Sequence, residues 1–288
     1  MAVEPFATAF PERFTNVGVA EQNLVGLATG LAEAGFIPYV YSIVPFAVLR
    51  PYEFIRNGPI AHHLPVRIVG VGAGFEYGNN GISHYGLEDA GVMRIQPGII
   101  VISPADAQQT RTTVLDTWDV PGPVYYRLGK DDRTIVPGLH GRFELGRAQR
   151  IREGADLLIV TMGAVSAEAV KAAEGLAAHG IEATILVVAS LNPAPVADLA
   201  AAARVFPRIL TVEAHYVVGG LGSLVAEVVA ETGTGSQIRR LGVRATPDGY
   251  TGSQEYLYRK NCVSCDAVVE AGLSLVGLTQ ARRVGGGA

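Results

Sequence analysis

One carboxylate stands at a junction suited to chemistry. Glu21 falls in Phe10-Pro-Glu-Arg-Phe-Thr-Asn-Val-Gly-Val-Ala-Glu-Gln-Asn23, where an apolar, strand-like run gives way to a helical pattern. Open α/β sheets bind ligands at the carboxyl ends of their strands. Walled by Val19, Ala20 and Leu24, a carboxylate there is drawn toward its protonated form by poor solvation and toward its anion by the helix N-terminus. A group balanced in that way can exchange a proton. The spacing leaves a second reading open, a surface acid that suits a first helical turn. His84 lies in a glycine- and asparagine-rich stretch, residues 72–85, too polar for core. It can donate or accept a proton near neutral pH, or stand as a solvated loop histidine. Arg127, near the end of Gly122-Pro-Val-Tyr-Tyr-Arg127-Leu-Gly, can grip a phosphate with two parallel hydrogen bonds, or pair with Asp131 or Asp132. Phe46, on its own, reads as ordinary core packing.

Two further groupings carry less. Cys262 and Cys265 have no histidine nearby, make half a zinc site at most, and read as small, partly buried hydrophobes. Gly219, Gly220 and Gly222 open a helical pattern and could cradle an anion, but a bare glycine cluster is a weak signal.

The elements that must position these residues follow a regular rhythm. Strand-like apolar runs alternate with helical patterns, which argues for parallel sheets covered by helices. The first half predicts strands over 14–19, 37–42, 66–71, 99–103 and 124–128. Helices are predicted over 20–34, 45–57, 87–94 and 105–118, the first with Leu24, Leu27, Ala28 and Leu31 on one face. The charged and turn-rich stretch from Lys130 through Gly141 interrupts the rhythm. It then restarts with strands over 157–162, 181–188, 209–213 and 238–243 and helices over 166–179, 195–204, 222–231 and 266–278. The expected organisation is a first α/β domain over 1–135, a linker over 136–150, a second α/β domain over 151–280 and a frayed tail over 281–288.

Composition narrows the function. Of 288 residues, 49% are hydrophobic and 17% charged, enough apolar material for two α/β cores. The net charge of −4 and the lack of a basic run argue against a nucleic-acid partner. No uninterrupted apolar run reaches the roughly 18 residues that span a bilayer. The N-terminus lacks a basic start and an apolar signal core, so a cytoplasmic protein is expected.

The stretch around Glu21 resembles the pyrimidine-binding (Pyr) domain of transketolases and deoxyxylulose-phosphate synthases, with its pattern ERF-x-N-x-G-I-A-E-Q-N. Tyr41-Ser-Ile-Val-Pro-Phe-Ala-Val-Leu-Arg50 resembles the family's strand-to-helix passage, residues 72–89 its loop ending EDGPTHQ, and Thr211-Val-Glu-Ala-His-Tyr-Val-Val-Gly-Gly-Leu-Gly-Ser223 its C-terminal domain. The resemblance runs through nearly the whole chain. It implies two tandem three-layer α/β domains, a Pyr domain with a parallel sheet and a transketolase C-terminal-like domain.

What the resemblance implies for the site is specific. Glu21 falls on the family's catalytic glutamate, which hydrogen-bonds N1′ of the aminopyrimidine of thiamine diphosphate. Phe46 falls on an aromatic that packs on that ring, and Ile43 replaces a first aromatic beside it. His84 falls on a loop histidine that contacts substrate oxygens, and Arg127 on an arginine that holds the substrate phosphate. Gly72 replaces a histidine and Asn80 an aspartate that reads a sugar hydroxyl, so a substrate other than the usual pentose phosphates is expected. The glycine cluster is structural in this light, and His215 a lesser candidate near the active-site entrance.

There is no Gly-Asp-Gly followed roughly thirty residues on by Asn, the oxygen-rich signature that holds Mg2+ and the diphosphate. The resemblance also implies that the family's first Pyr strand is missing here, which reads equally as a shortened start, a wrong start codon or an edge that a partner completes. The expectation is therefore a subunit of a split, two-fold symmetric α2β2 enzyme. Its N-terminal partner subunit supplies the Mg2+ and diphosphate site, and the pair transfers a two-carbon ketol unit between sugars. Rival readings are the beta subunit of a 2-oxoacid dehydrogenase and a non-catalytic assembly module with the same fold.

Overall fold

Three parallel strands that end level with one another form the frame of the first half. The computed structural model describes residues 3–247 and 249–278. After helix α1 (Glu4–Ala9) and a tight turn over Pro11–Arg13 come α2 (Glu21–Glu33), β1 (Tyr39–Ile43), α3 (Val44–Val48) and α4 (Tyr52–Ile55), which runs into a π-helical turn over Arg56–Ile60. Next are β2 (Arg67–Val71), two 3-10 turns (Gly78–Asn80 and Ile82–His84), α5 (Asp89–Arg94), β3 (Ile100–Ile102), α6 (Ala107–Thr117) and β4 (Val124–Leu128). The pairing sets Ile43 opposite Val71 and Val71 opposite Leu128, so the carboxyl ends of β1, β2 and β4 form one edge.

The second half repeats the scheme with β5 (Gln149–Arg152), β6 (Leu157–Thr161), α7 (Ser166–Ala177), β7 (Ala183–Val187), β8 (Ser190–Asn192), α8 (Val196–Val205), β9 (Arg208–Tyr216), α9 (Leu221–Thr232), β10 (Gln237–Val243), α10 (Gln254–Lys260) and α11 (Cys265–Leu275). Its sheet order is β10-β9-β6-β7-β5, with β5 antiparallel. The first sheet runs β1-β2-β4-β3-β8, and its last strand comes from the second half, antiparallel to β3. One apolar core joins Val25, Val40, Ile68 and Met93 of the first half to Val160, Leu199 and Val225 of the second. No helix among the described residues is long and apolar enough to cross a membrane.

The local signals explain most boundaries. The strands β2, β6 and β7 are buried at every position, as expected of parallel strands covered on both faces. Gly35, with φ +91°, ends α2 as a left-handed cap, and the Phe36 N–H closes on Leu31 O at 3.1 Å. Asp106 caps α6 by accepting from the Gln109 N–H at 2.8 Å.

Several expectations are corrected. Residues 14–19 form no strand: the Asn16 side chain accepts the Gly18 N–H in a local turn, Gly18 has φ +74°, and no neighbouring strand pairs with the segment. The inward face of α2 is Glu21, Val25, Ala28 and Ala32, while Leu27 and Leu31 point outward. The single helix over 45–57 is broken at Pro51, which cannot continue the ladder of hydrogen bonds. The elements α1, β5, β8 and α10 lie outside the predicted set. Cys262 is exposed rather than partly buried, and neither cysteine is in a disulfide. The tail over 281–288 lies outside the described residues.

Candidate active site

The level carboxyl edge of β1, β2 and β4 carries the side chains of interest. Glu21 opens α2, and although it begins a helix it is only 8% exposed. Its Oε2 accepts from Arg50 Nη1 at 3.0 Å, and Ser42 Oγ, near the end of β1, lies 3.4 Å from its Oε1. Ile43 ends β1 with an extended backbone and leads into α3. Pro45 in the first turn of α3 suits the abrupt strand-to-helix change and sets Phe46 over the edge. Phe46 is half-buried, with the Arg50 guanidinium 4.0 Å from its ring centroid and His84 edge-on at 5.0 Å.

The loop after β2 supplies the opposite wall. Gly72, φ +81°, turns the chain where a side chain would not fit: a Cβ there would lie 2.1 Å from the Tyr77 ring. Tyr77 thus fills the place that a side chain at position 72 would take. Its ring stands 6.3 Å from His84. His84 Nδ1 pairs with Ser83 Oγ at 3.0 Å, and Asn80 is exposed at the end of its turn. Beyond β4, the exposed Lys130 ammonium lies 4.6 Å from the Tyr77 ring centroid, a cation–π contact.

Glu21, Phe46, His84, Tyr77 and Lys130 therefore form a continuous line of contacts, through Arg50 at one end. Arg50 and Lys130 are exposed along it, so the edge faces solvent. Of the residues expected from sequence, Glu21, Ile43, Phe46 and His84 come to this edge, and Asn80 stands exposed in the turn next to Tyr77, its N–H donating to Tyr77 O at 2.9 Å. Arg127 does not reach the edge. It is 2% exposed and its Nε donates to Asp89 Oδ2 at 2.8 Å, while Nη2 donates to Gly86 O and Ala214 O at 2.8 and 2.9 Å. The acid it pairs with is Asp89, also bonded by the Tyr125 hydroxyl at 2.6 Å, and not Asp131 or Asp132. An arginine 2% exposed and held through Nε and Nη2 on these groups ties β4 to β9 rather than standing open on the edge.

Two buried carboxylates, Glu76 and Glu213, are not among the residues singled out from sequence, although Glu213 lies within the Thr211–Ser223 stretch. Glu76, 8% exposed, lies beneath the loop, with one oxygen accepting the Lys130 backbone N–H and Oε1 without a hydrogen-bond partner. Burial pushes its carboxyl up to about 7, against the pull of that N–H. Gly129 makes room for it, since a Cβ there would stand 2.8 Å from Oε1. Glu213 accepts the Leu221 and Gly222 N–H groups, each at 2.8 Å, at the start of α9. Burial pushes it up to about 7 as well. The glycine cluster thus holds an internal carboxyl group, and a Cβ at Gly220 would lie 2.0 Å from Glu213 Oε2.

His215 is fully buried, not at an entrance. Its Nε2 accepts the Gly91 N–H at 3.2 Å and its Nδ1 lies 2.7 Å from Tyr216 O, and burial lowers its basicity. A surface cavity of about 360 Å3 between α2 and α4, lined by Gly26, Thr29, Glu53 and Phe54, is separate from this edge.

Residues 2–133 match the transketolase pyrimidine-binding domain, and residues 146–264 match the transketolase C-terminal domain. The chain is 38% identical over 240 residues to a putative transketolase C-terminal section of Methanocaldococcus jannaschii, covering 83% of this chain and 75% of that one. It is 33% identical over 276 residues to a subunit of the apulose-4-phosphate transketolase of Actinobacillus succinogenes, covering 95% and 88%. Among solved structures it resembles a split-gene transketolase described as an inactive beta4 tetramer, with a TM-score of 0.86, 39% identity and coverage of 96% and 88%.

Proposed function

The chain belongs to the transketolase family, and on that premise we propose that it is the glutamate-bearing subunit of a split enzyme that moves a two-carbon ketol unit from a phosphorylated ketose to an aldehyde. The observation that carries the reading is the buried Glu21 carboxylate close to the Phe46 ring, on an edge that faces solvent. The residues fit the aminopyrimidine of thiamine diphosphate. A flat, N–H-bearing group, the Arg50 guanidinium, already lies on Phe46 and donates to Glu21.

When bound, thiamine diphosphate supplies the electron sink for the transferred fragment. Glu21 would pass a proton to N1′ of the ring and then accept the N1′–H it has made, Phe46 would fix the ring plane, and Ile43 would fill the space next to it. His84 Nε2, left over from the Ser83 contact, meets a substrate oxygen, and the exposed Asn80 meets a hydroxyl of the sugar. Arg127 is replaced in its expected role. Lys130, exposed just beyond β4 and steadied on Tyr77, takes the substrate's anionic end as a mobile point charge.

Mg2+ and the diphosphate belong to the N-terminal partner subunit in an α2β2 assembly. This is supported by the lack of their Gly-Asp-Gly signature here, and by a solved relative described as an inactive tetramer of beta chains. The test is Glu21→Gln in the reconstituted complex, which keeps shape and removes the exchangeable charge. Ketol transfer should fall by about 10²–10⁴-fold, the usual weight of a positioned acid–base group. A variant within a few-fold of the wild-type rate refutes the role.

A further inference from the structure

Arg50 makes the two contacts that the cofactor's aminopyrimidine needs. Its Nη1 donates to Glu21 Oε2 at 3.0 Å, and its Cζ stands 4.0 Å from the Phe46 ring centroid. A guanidinium is planar, delocalised and edged with N–H donors, so it stacks on an aromatic face and donates to a carboxylate as the N1′-protonated aminopyrimidine does. Two flat groups cannot lie on one patch of ring and meet one oxygen together. We propose that Arg50 is a built-in plug that fills the aminopyrimidine place in the unliganded chain and swings out when thiamine diphosphate enters.

The surroundings suit such a motion. The Arg50 side chain is 42% exposed while that of Glu21 is 10% exposed, so the arginine has water to move into and the carboxylate stays in place. Arg50 sits in the exposed turn between α3 and α4, just before the helix break at Pro51. Among the described residues, Glu21 and Phe46 are the groups its guanidinium engages. The plug also has a purpose in the free chain, because it gives a nearly buried carboxylate a counter-charge before any partner arrives. Cofactor binding then competes with an ion pair inside the protein. A half-exposed pair of this kind is weak, so it delays and discriminates without blocking.

The inference rests on the proposed role of Glu21 and Phe46, and its test separates the two. Thiamine diphosphate is titrated into the reconstituted two-subunit complex, with Mg2+ present, for wild type, Arg50→Ala, Arg50→Gln and Glu21→Gln. Arg50→Ala should bind the cofactor about two- to fivefold tighter and faster, as expected for removal of a weak competing pair. Arg50→Gln, which keeps length without charge, should move the same way by less and guards against a folding defect. Weaker or unchanged binding by both variants overturns the plug; weaker binding marks Arg50 as a contact of the bound ring instead. If Glu21→Gln leaves both affinity and turnover unaltered, the reading of the site has failed. If Glu21→Gln impairs turnover and the Arg50 variants bind no tighter, only the plug has failed.

Discussion

Side-chain surroundings, more than residue types, set what each charged group here can do. Arg127 and Lys130 are close in sequence and far apart in environment. The first is buried on Asp89, Gly86 and Ala214, and the second is exposed over Tyr77. They should separate experimentally. Arg127→Leu leaves Asp89 as an uncompensated buried charge and should cost about 3–5 kcal/mol in denaturant unfolding. Lys130→Ala should leave stability within about 0.5 kcal/mol and raise KM for a phosphorylated ketose. A stable Arg127 variant with a raised KM would reverse the assignment.

Glu76 gives a pH signature. Its folded-state pKa, about 7, lies above the ordinary carboxyl value of 4.5. The folded state therefore holds the proton more tightly than the unfolded state. The stability this supplies is complete below about pH 4.5 and is lost as pH rises through 7. Relative to wild type, Glu76→Gln should gain on the order of 1–3 kcal/mol at pH 8, with the difference shrinking toward pH 5. Unfolding curves at the two pH values check it; a difference that grows toward pH 5 contradicts the assignment.

At the scale of elements, the βα rhythm is legible because parallel strands buried on both faces read as apolar runs, as in β2, β6 and β7. What is not legible exists only through tertiary pairing. The polar strand β5, Gln149–Arg152, is a strand because β7 pairs with it, and the three-residue β8 because β3 does. Conversely, residues 14–19 have strand-like composition and no strand partner, so they remain a loop. The site is partly legible for the same reason. Glu21 and Phe46 stand out only through the resemblance, since their spacing also suits a surface acid and a core ring. Arg127 is misplaced from sequence because Tyr125, Tyr126 and Arg127 are all buried on one strand, and alternation cannot say which way each side chain points. Arg50, Tyr77 and Glu76 carry no motif of their own, and only contact reveals them.

At the scale of the whole molecule, the two halves behave as one body. The β8 strand completes the first sheet, Arg127 reaches the β9 backbone, and His215 accepts from the Gly91 N–H of α5. The glutamate edge is thereby held on a double scaffold, with its other side open to solvent. Outward-facing Leu27 and Leu31 on α2, with the exposed Val19 just before it, are in keeping with a chain that meets other subunits near this edge. The most direct measurement takes this chain alone, the chain carrying the Gly-Asp-Gly signature alone, and the two mixed. Each is assayed for thiamine-diphosphate-dependent ketol transfer from a phosphorylated ketose. Turnover is predicted only in the mixture, rising with added partner to a plateau at equal subunits. Turnover by the lone chain, or a mixture no more active than its parts, would contradict the split-site reading.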